Sequence, residues 1–410
     1  MKILVVHQNF VEPTHAGGTR HFELMKNWIR DGHQATMITG TVDYLTGERI
    51  AGTRGLVTRQ QIDDIRLLRA YTLPTLHTSF VHRILAFCSF MVSSVFAGLR
   101  AGPVDVVIGT SPPIFQLVSA WLIASLKRKP FVLEIRDLWP EFAIDIGVLK
   151  SRLLIGLSRW LENFMYARAS HIVVNSPAFR EYLMEKGIPD PRISVVPNGV
   201  APEMFQPEAT GEQLRQEWGL DDKYLVTYAG ALGMANDIST ILRAANRLRE
   251  NDRIHFLLVG DGKESDNLKA EASSLELTNV TFAGTYPKDR MHEVLAASNA
   301  CVATLKNIRM FRTVYPNKVF DYMAAGRPVI LGIDGVIRDV VEQGQAGVFV
   351  EPGNDEQLAD AVRLLAAEES PGPGMGRCGR QYVEQHFNRN QHAKQFMQVL
   401  HDVASPGPKA

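Results

Sequence analysis

The chain is 410 residues long, 45% hydrophobic and 21% charged. That is the composition of an ordinary soluble globular protein of roughly two to three domains, and it excludes disorder, collagen and coiled coil. Lysine plus arginine and aspartate plus glutamate each number 44, so there is no global basic field for nucleic acid.

The balance is not even along the chain: residues 1–200 carry 22 basic and 16 acidic side chains, and only that half is suited to an anionic partner. Cys88, Cys301 and Cys378 are far apart, odd in number and not at metal spacing, which fits a reducing cytoplasm.

The run Lys2–His7 meets a polar residue after four apolar ones, too short for a signal-peptide core and right for a buried strand, so export is not expected. His15-Ala16-Gly17-Gly18 follows and opens a helical run with Phe22, Met25, Trp28 and Ile29. A glycine pair there lets the backbone approach an anion at a helix N-terminus; plain turn glycines fit as well. Strands are expected at Gln34–Thr39 and Ile65–Tyr71. Between Arg83 and Arg100 lie 16 uncharged residues, short of the roughly 20 that a spanning helix needs. On a helical wheel His82, Arg83, Ser89, Phe90, Ser93, Ser94 and Arg100 share one side, and Leu85, Phe87, Met91, Val92, Val95 and Phe96 the other. Such a segment is either a core helix or an interfacial helix with its apolar side in lipid headgroups.

Strands at Val104–Gly109 and Phe131–Arg136 come next. The first leads into Thr110-Ser111-Pro112-Pro113, the second into Glu134-Ile135-Arg136-Asp137-Leu138-Trp139-Pro140-Glu141. Acids and an arginine beside an aromatic at a strand end suit sugar or phosphate recognition and proton transfer; structural salt bridges are the alternative. After His171–Asn175 and the strand-and-turn Val195-Val196-Pro197-Asn198-Gly199-Val200, the stretch 201–207 carries prolines without periodicity and reads as an interdomain hinge. The pattern restarts at Tyr224–Ala229, Ile254–Val259, Val280–Phe282, Cys301–Leu305, Pro328–Leu331 and Gly347–Val350. Strands alternating with amphipathic stretches imply two doubly wound α/β domains, 1–200 and 201–375, facing each other across a cleft lined by loops from the strands' carboxyl ends. Ser370–Gly374 reads as a flexible connector, 376–403 as a helical segment that could cross back to the first domain, and 405–410 as a disordered tail. Neither a G-x-G-x-x-G nor a Walker loop is present, which removes the best support for a nicotinamide dehydrogenase or a phosphate-cleaving enzyme.

The most informative segment runs from Thr313 to Ile330. Lys318 and Asp321 are three apart on a helix and share a face, so a cation can meet a diphosphate while the carboxylate accepts bonds from ribose hydroxyls. Pro316-Asn317-Lys318 with Asp321-Tyr322-Met323-Ala324-Ala325-Gly326-Arg327-Pro328, together with Val195–Val200, Leu258-Val259-Gly260-Asp261-Gly262, Gly17-Gly18 and Arg136-Asp137-Leu138-Trp139-Pro140, resembles the family 4 retaining glycosyltransferases. Within them the chain is most similar to the bacterial group typified by the N-acetyl-L-fucosaminyltransferase of O-antigen assembly.

The resemblance implies a GT-B fold and a nucleotide-sugar donor, as a substrate and not a cofactor, held mainly by the second domain. It implies an acceptor on the first domain and no metal. Carried over, Gly17 and Gly18 sit against the donor diphosphate, Asp321 holds the ribose, and Gly284-Thr285-Tyr286-Pro287 frames the base through its backbone. Gly230, Thr313, Val314 and Tyr315 fall at donor-binding positions, and Arg136 and Asp137 face the donor sugar and acceptor as the catalytic candidates. The chain departs from the family at four positions. The usual phosphate cations are replaced by Ala231 and Asn236, for which Lys318, Arg309 or Arg312 would have to substitute. The sugar-binding glutamate is Thr313, and the histidine before the aspartate is Arg136. These departures favour a deoxy or acetamido sugar.

The expected function is transfer of a sugar, from UDP, onto a lipid-linked glycan in bacterial surface polysaccharide assembly. The expected location is the cytoplasmic face of the inner membrane, with residues 82–100 as the peripheral contact. A nucleotide-sugar 2-epimerase and a catalytically degenerate glycan-assembly scaffold are the alternatives.

Overall fold

The computed structural model describes residues 1–405 except 13, 16, 45, 76–78, 207 and 208. Ala16 of the glycine loop, Pro207 of the hinge stretch and the tail after Ser405 lie outside the described residues. The chain forms two compact units: Met1–Glu12, Thr19–Pro197 and Asn390–Ala410 make the first, and Pro13–Gly18 with Asn198–Arg389 make the second.

The first unit is an eight-stranded sheet in the order β3 (Val57–Ile62), β4 (Ile65–Ala70), β2 (Gln34–Gly40), β1 (Lys2–Val6), β5 (Val106–Ser111), β6 (Phe131–Ile135), β7 (His171–Val174) and β8 (Ile193–Val195). Its helices are α1 (Arg20–Arg30), α2 (Phe80–Leu99), α3 (Phe115–Lys127), α4 (Glu141–Asp145), α5 (Arg152–Arg168) and α6 (Pro177–Glu185). Ile3, Leu4, Val5 and Val6 are all buried, because a parallel strand covered on both faces by helices is apolar throughout. The second unit is a six-stranded parallel sheet in the order β11 (Val280–Gly284), β10 (Ile254–Val259), β9 (Tyr224–Ala229), β12 (Ala300–Thr304), β13 (Val329–Gly332) and β14 (Gly347–Phe349). Around it lie α7 (Glu212–Trp218), α8 (Ile238–Arg247), α9 (Ser265–Ser274), α10 (Met291–Ala296), α11 (Asn317–Ala324), α12 (Val336–Gln343), α13 (Asp355–Ala366) and α14 (Gly372–His386), and the chain ends in α15 (Arg389–Ala404).

Four sequence expectations need correction. The polar strand β3 was not anticipated: its pairing with β4 is set by the tight turn at Asp63 (φ 48°) and not by apolar content. β5 starts at Val106 because Asp105 accepts the Lys2 N–H (2.7 Å) instead of continuing the strand. Ser370–Gly374 is not a flexible connector, since α14 begins at Gly372 with Pro373 in its first turn, where the missing N–H costs nothing. Finally, 376–403 is not one helical segment but α14 and α15, separated at Phe387 and Asn388.

Helix α2 turns its serine side inward. Ser93 Oγ donates to the carbonyl of Tyr71 (2.6 Å), Ser89 Oγ accepts from Leu73 N–H (2.9 Å), and Phe90 is fully buried beside them. Val81, Leu85, Val92, Phe96 and Leu99 therefore face outward and are exposed. At 20 residues, α2 exceeds the 16-residue core counted from sequence, and Val81–Leu99 is long and apolar enough to cross a membrane by length and composition.

Candidate functional site

In the second unit β9 lies between β10 and β12, so the direction of the crossovers reverses at β9. Ligands of doubly wound sheets bind beyond the strand ends at such a point. Gly230 stands there, and a Cβ on it would lie 2.9 Å from Lys318 Nζ. The Tyr322 hydroxyl accepts from Ala229 N–H (2.8 Å) and donates to its carbonyl (3.1 Å), fixing α11 to the end of β9.

Lys318, one turn earlier on α11, donates to Tyr228 Oη (2.6 Å) and Asn236 Oδ1 (3.1 Å), with Nζ 4.0 Å from the Tyr228 ring centroid. The lysine thus occupies the space beside Asn236, one of the two positions where the family cation is absent. Among the described residues no carboxylate pairs with Lys318, and burial lowers its amine to about 7. The other position, Ala231, offers only its carbonyl, which accepts the Tyr228 hydroxyl (2.8 Å).

Asp321 is buried and its Oδ2 lies 2.5 Å from Lys288 Nζ. Lys288 sits between β11 and α10, 33 positions away from Asp321, and sequence reasoning missed it because no local pattern links the two. Thr313 donates to the Met310 carbonyl (2.6 Å), and the Tyr315 carbonyl accepts from Asn198 Nδ2 (2.9 Å). The Tyr315 ring packs edge-on against Phe320 and Phe387, and the Tyr286 ring against Trp218. Arg312 lies 3.6 Å from Asp334 and is 54% exposed. Gly17 and Gly18 group with this second unit; a Cβ on Gly18 would lie 3.6 Å from Asn317 Nδ2 at the start of α11.

The first unit reverses at β1, between β2 and β5. Arg136, just past β6, donates to Thr110 Oγ1 (2.9 Å) and to the Pro112 carbonyl (3.3 Å), and its Nη2 lies 3.0 Å from His7 Nε2. It thereby ties together the ends of β1, β5 and β6. Burial, with Arg136 beside it, holds His7 well below the ordinary histidine value, so Nε2 accepts from Arg136 and Nδ1 is left without a partner. Among the described residues the side-chain amide of Gln8 and the Asn9 Oδ1 are likewise buried without partners. Buried polar atoms of this kind call for an explanation such as a water, an ion or a functional role, and the polar run His7-Gln8-Asn9 after β1 was their sequence signal.

Asp137 is half-buried, and burial raises its carboxyl to about 6 against the opposing pull of Arg136. Glu134 has a different role. Burial alone would raise it, but His21 and Arg20 outweigh that cost and hold it well below the ordinary range. Arg20 Nε reaches Glu134 at 3.0 Å and His21 Nε2 at 2.6 Å, while Arg20 also donates to the carbonyls of Pro197 (2.7 Å) and Val196 (2.9 Å). Of the acids near this strand end, Glu134 is the structural salt bridge, and Asp137 has no ion-pair partner among the described residues.

Two parallel-sheet units with these strand ends define the GT-B fold. Residues 16–199 match the glycosyl transferase 4-like domain and residues 211–381 match the glycosyl transferases group 1 domain. The chain is a glycosyltransferase built of those two domains in that order. It is 24% identical over 416 residues to WcaI of Escherichia coli (strain K12), named as a glycosyl transferase of colanic acid biosynthesis, with 97% of this chain and 99% of WcaI covered. Two solved structures share the fold. Sucrose-phosphate synthase of Thermosynechococcus elongatus has a TM-score of 0.78 at 19% identity, covering 98% of this chain and 99% of its own. Anabaena HepE in complex with UDP-glucose has a TM-score of 0.74 at 18% identity, covering 98% and 100%.

Proposed function

We propose that this glycosyltransferase is a retaining, metal-independent hexosyltransferase. In this reading it moves an acetamido or deoxy sugar from a UDP donor onto a lipid-linked glycan in bacterial surface polysaccharide assembly, in the group typified by the N-acetyl-L-fucosaminyltransferase. The observation that carries the proposal is Lys318: a half-buried amine that no carboxylate pairs with among the described residues, set at the end of β9 where the family cations are absent. A diphosphate supplies the charge that such a group lacks. Asp321 then takes the ribose, Gly17, Gly18 and Gly230 allow close backbone approach, and Lys288 adds a second cation beside Asp321.

On the first unit, Asp137 with Arg136 serves turnover. Retention follows from front-side displacement, in which the leaving diphosphate helps to remove the acceptor proton and the protein contributes electrostatics and positioning. The WcaI likeness supports polysaccharide assembly. The outward apolar stripe of α2 supports peripheral docking through 82–100 at the cytoplasmic face of the inner membrane, where a lipid-linked acceptor keeps its head.

Thermal melting against a panel of nucleotide sugars tests this reading. UDP-linked acetamido and deoxy sugars are expected to raise the melting temperature most, because a ligand at 100 times its Kd stabilises the fold by about 2.7 kcal/mol. Release of free epimerised donor without acceptor would make the protein an epimerase, and failure of every donor to bind or hydrolyse would make it a scaffold.

A further inference from the structure

The apolar surface of the first unit does not end with α2. Helices α2, α3 and α5 belong to crossovers that run the same way across the sheet, from β4 to β5, β5 to β6 and β6 to β7, so right-handed connections put all three on one face. They are packed edge to edge. Gly98 brings α2 onto α3, where a Cβ would lie 2.4 Å from Ile123 Cδ1, and Phe87 stacks on Phe115 at 5.8 Å. Trp121 of α3 meets Phe164 of α5 edge-on at 5.3 Å, and Phe164 stacks with Trp160 at 5.5 Å.

Beyond these contacts the outward stripe of α2 continues onto Leu126 of α3 and onto Leu153, Leu157 and Trp160 of α5, spaced i, i+4, i+7 on one helical face. Leu153 is 80% exposed and Trp160 59%. Exposed large apolar side chains thus recur on three neighbouring helices on one side of the sheet, the kind of surface that marks an interaction site.

Basic side chains predominate around this face: of the three acids in 141–168, Glu141 is paired with Arg159 and Glu162 with Lys186, which leaves Asp145. From residue 65 to residue 133 the chain holds seven lysines and arginines and one acid, Asp105, which is engaged with the Lys2 N–H. Lys127, Arg128 and Lys129 close α3, and Lys150 and Arg152 open α5. An apolar centre with a cationic rim is the chemistry of an anionic bilayer surface, in which acyl chains take the stripe and headgroups take the rim.

We propose that α2, α3 and α5 form a single docking face for anionic phospholipid, with Trp160 as its interfacial anchor. The proposal rests on the α2 docking reading and extends it to two further helices that the sequence did not single out. The face fixes how the first unit lies on the lipid, since two parallel contact stripes prevent the rocking that one helix alone permits.

Vesicle flotation of the full chain decides it, using phosphatidylcholine vesicles with and without phosphatidylglycerol. The wild type is expected to float only with the anionic vesicles. Leu157→Ser with Trp160→Ser on α5, and Leu85→Ser with Phe96→Ser on α2, are each expected to weaken binding about tenfold or more. Brominated acyl chains are expected to quench the tryptophan emission of the wild type, and Trp160→Phe to remove that quenching while leaving flotation intact. If the α5 pair floats like the wild type while the α2 pair does not, docking belongs to α2 alone and this inference falls. If the wild type does not float, both readings fall. A wild type that is dimeric and becomes monomeric in the α5 pair would make the face a contact between copies, which also overturns the proposal.

Discussion

Two titrating side chains carry opposite linkages. Lys318 is held at about 7 by burial, whereas a lysine in an unfolded chain titrates near about 10.4. Between those values the unfolded state binds the extra proton, so stability rises with pH across that window. Lys318→Met is expected to flatten the rise and to raise the melting temperature at neutral pH. The same variant should lose about 1.5–3 kcal/mol of UDP affinity by calorimetry, the worth of a charge-assisted bond. Wild-type binding should take up a proton, so that the measured enthalpy varies with the ionisation heat of the buffer; an enthalpy independent of buffer would remove Lys318 from the diphosphate.

Asp137 behaves in the opposite way. Its folded value of about 6 exceeds its unfolded value, so the folded state binds more protons between about 4 and 6 and stability falls as pH rises through that range. Asp137→Asn is expected to stabilise the protein at pH 7.5. It should also lower turnover at saturating donor and acceptor while leaving the Kd for UDP unchanged.

One side chain, Tyr322, fixes helix α11 to the end of β9, its hydroxyl satisfying both the N–H and the carbonyl of Ala229. Tyr322→Phe leaves that N–H buried without a partner, at a cost of about 1–3 kcal/mol, read as a lower urea midpoint. Lys318 rides on the same helix, so UDP affinity should fall in parallel. Where the sequence was legible, it was through such helices and the strands they cover. β9 and β10 were read with their observed ends because a strand buried on both faces is apolar to its last residue, and α11 could be placed because Lys318 and Asp321 repeat at a helical interval. β3 was illegible because its half-exposed face is polar and only the turn at Asp63 pairs it. The two sides of α2 were legible but which one is buried was not decided by sequence, since a serine side can satisfy itself on nearby carbonyls and be buried while the apolar side stays outside. Lys288 was beyond reach for a different reason: an ion pair between the β11–α10 connection and a distant helix leaves no periodic trace.

The chain closes on itself at its end. Residues Asn390 onward belong to the first unit, and α15 packs there through Ala393, Phe396, Met397 and Leu400, all buried in the same core as Trp28 of α1. Trp28 Nε1 donates to the Ala393 carbonyl (3.0 Å), and its ring meets Phe396 edge-on at 5.5 Å. The other end of α1 presents Arg20 and His21 to Glu134 on β6. Seating the last helix therefore supports the helix that braces the strand ends on which Arg136 and Asp137 stand, and no contiguous N-terminal fragment contains the complete first unit. Residues 1–197 produced alone are expected to leave Trp28 and its neighbours uncovered and to aggregate, whereas the same fragment joined to 389–405 by a flexible linker should give a cooperative melt. In the full chain Phe396→Ala is expected to cost about 3–5 kcal/mol. A stable, cooperatively melting 1–197 fragment would show that α15 is dispensable and that the first unit closes without it.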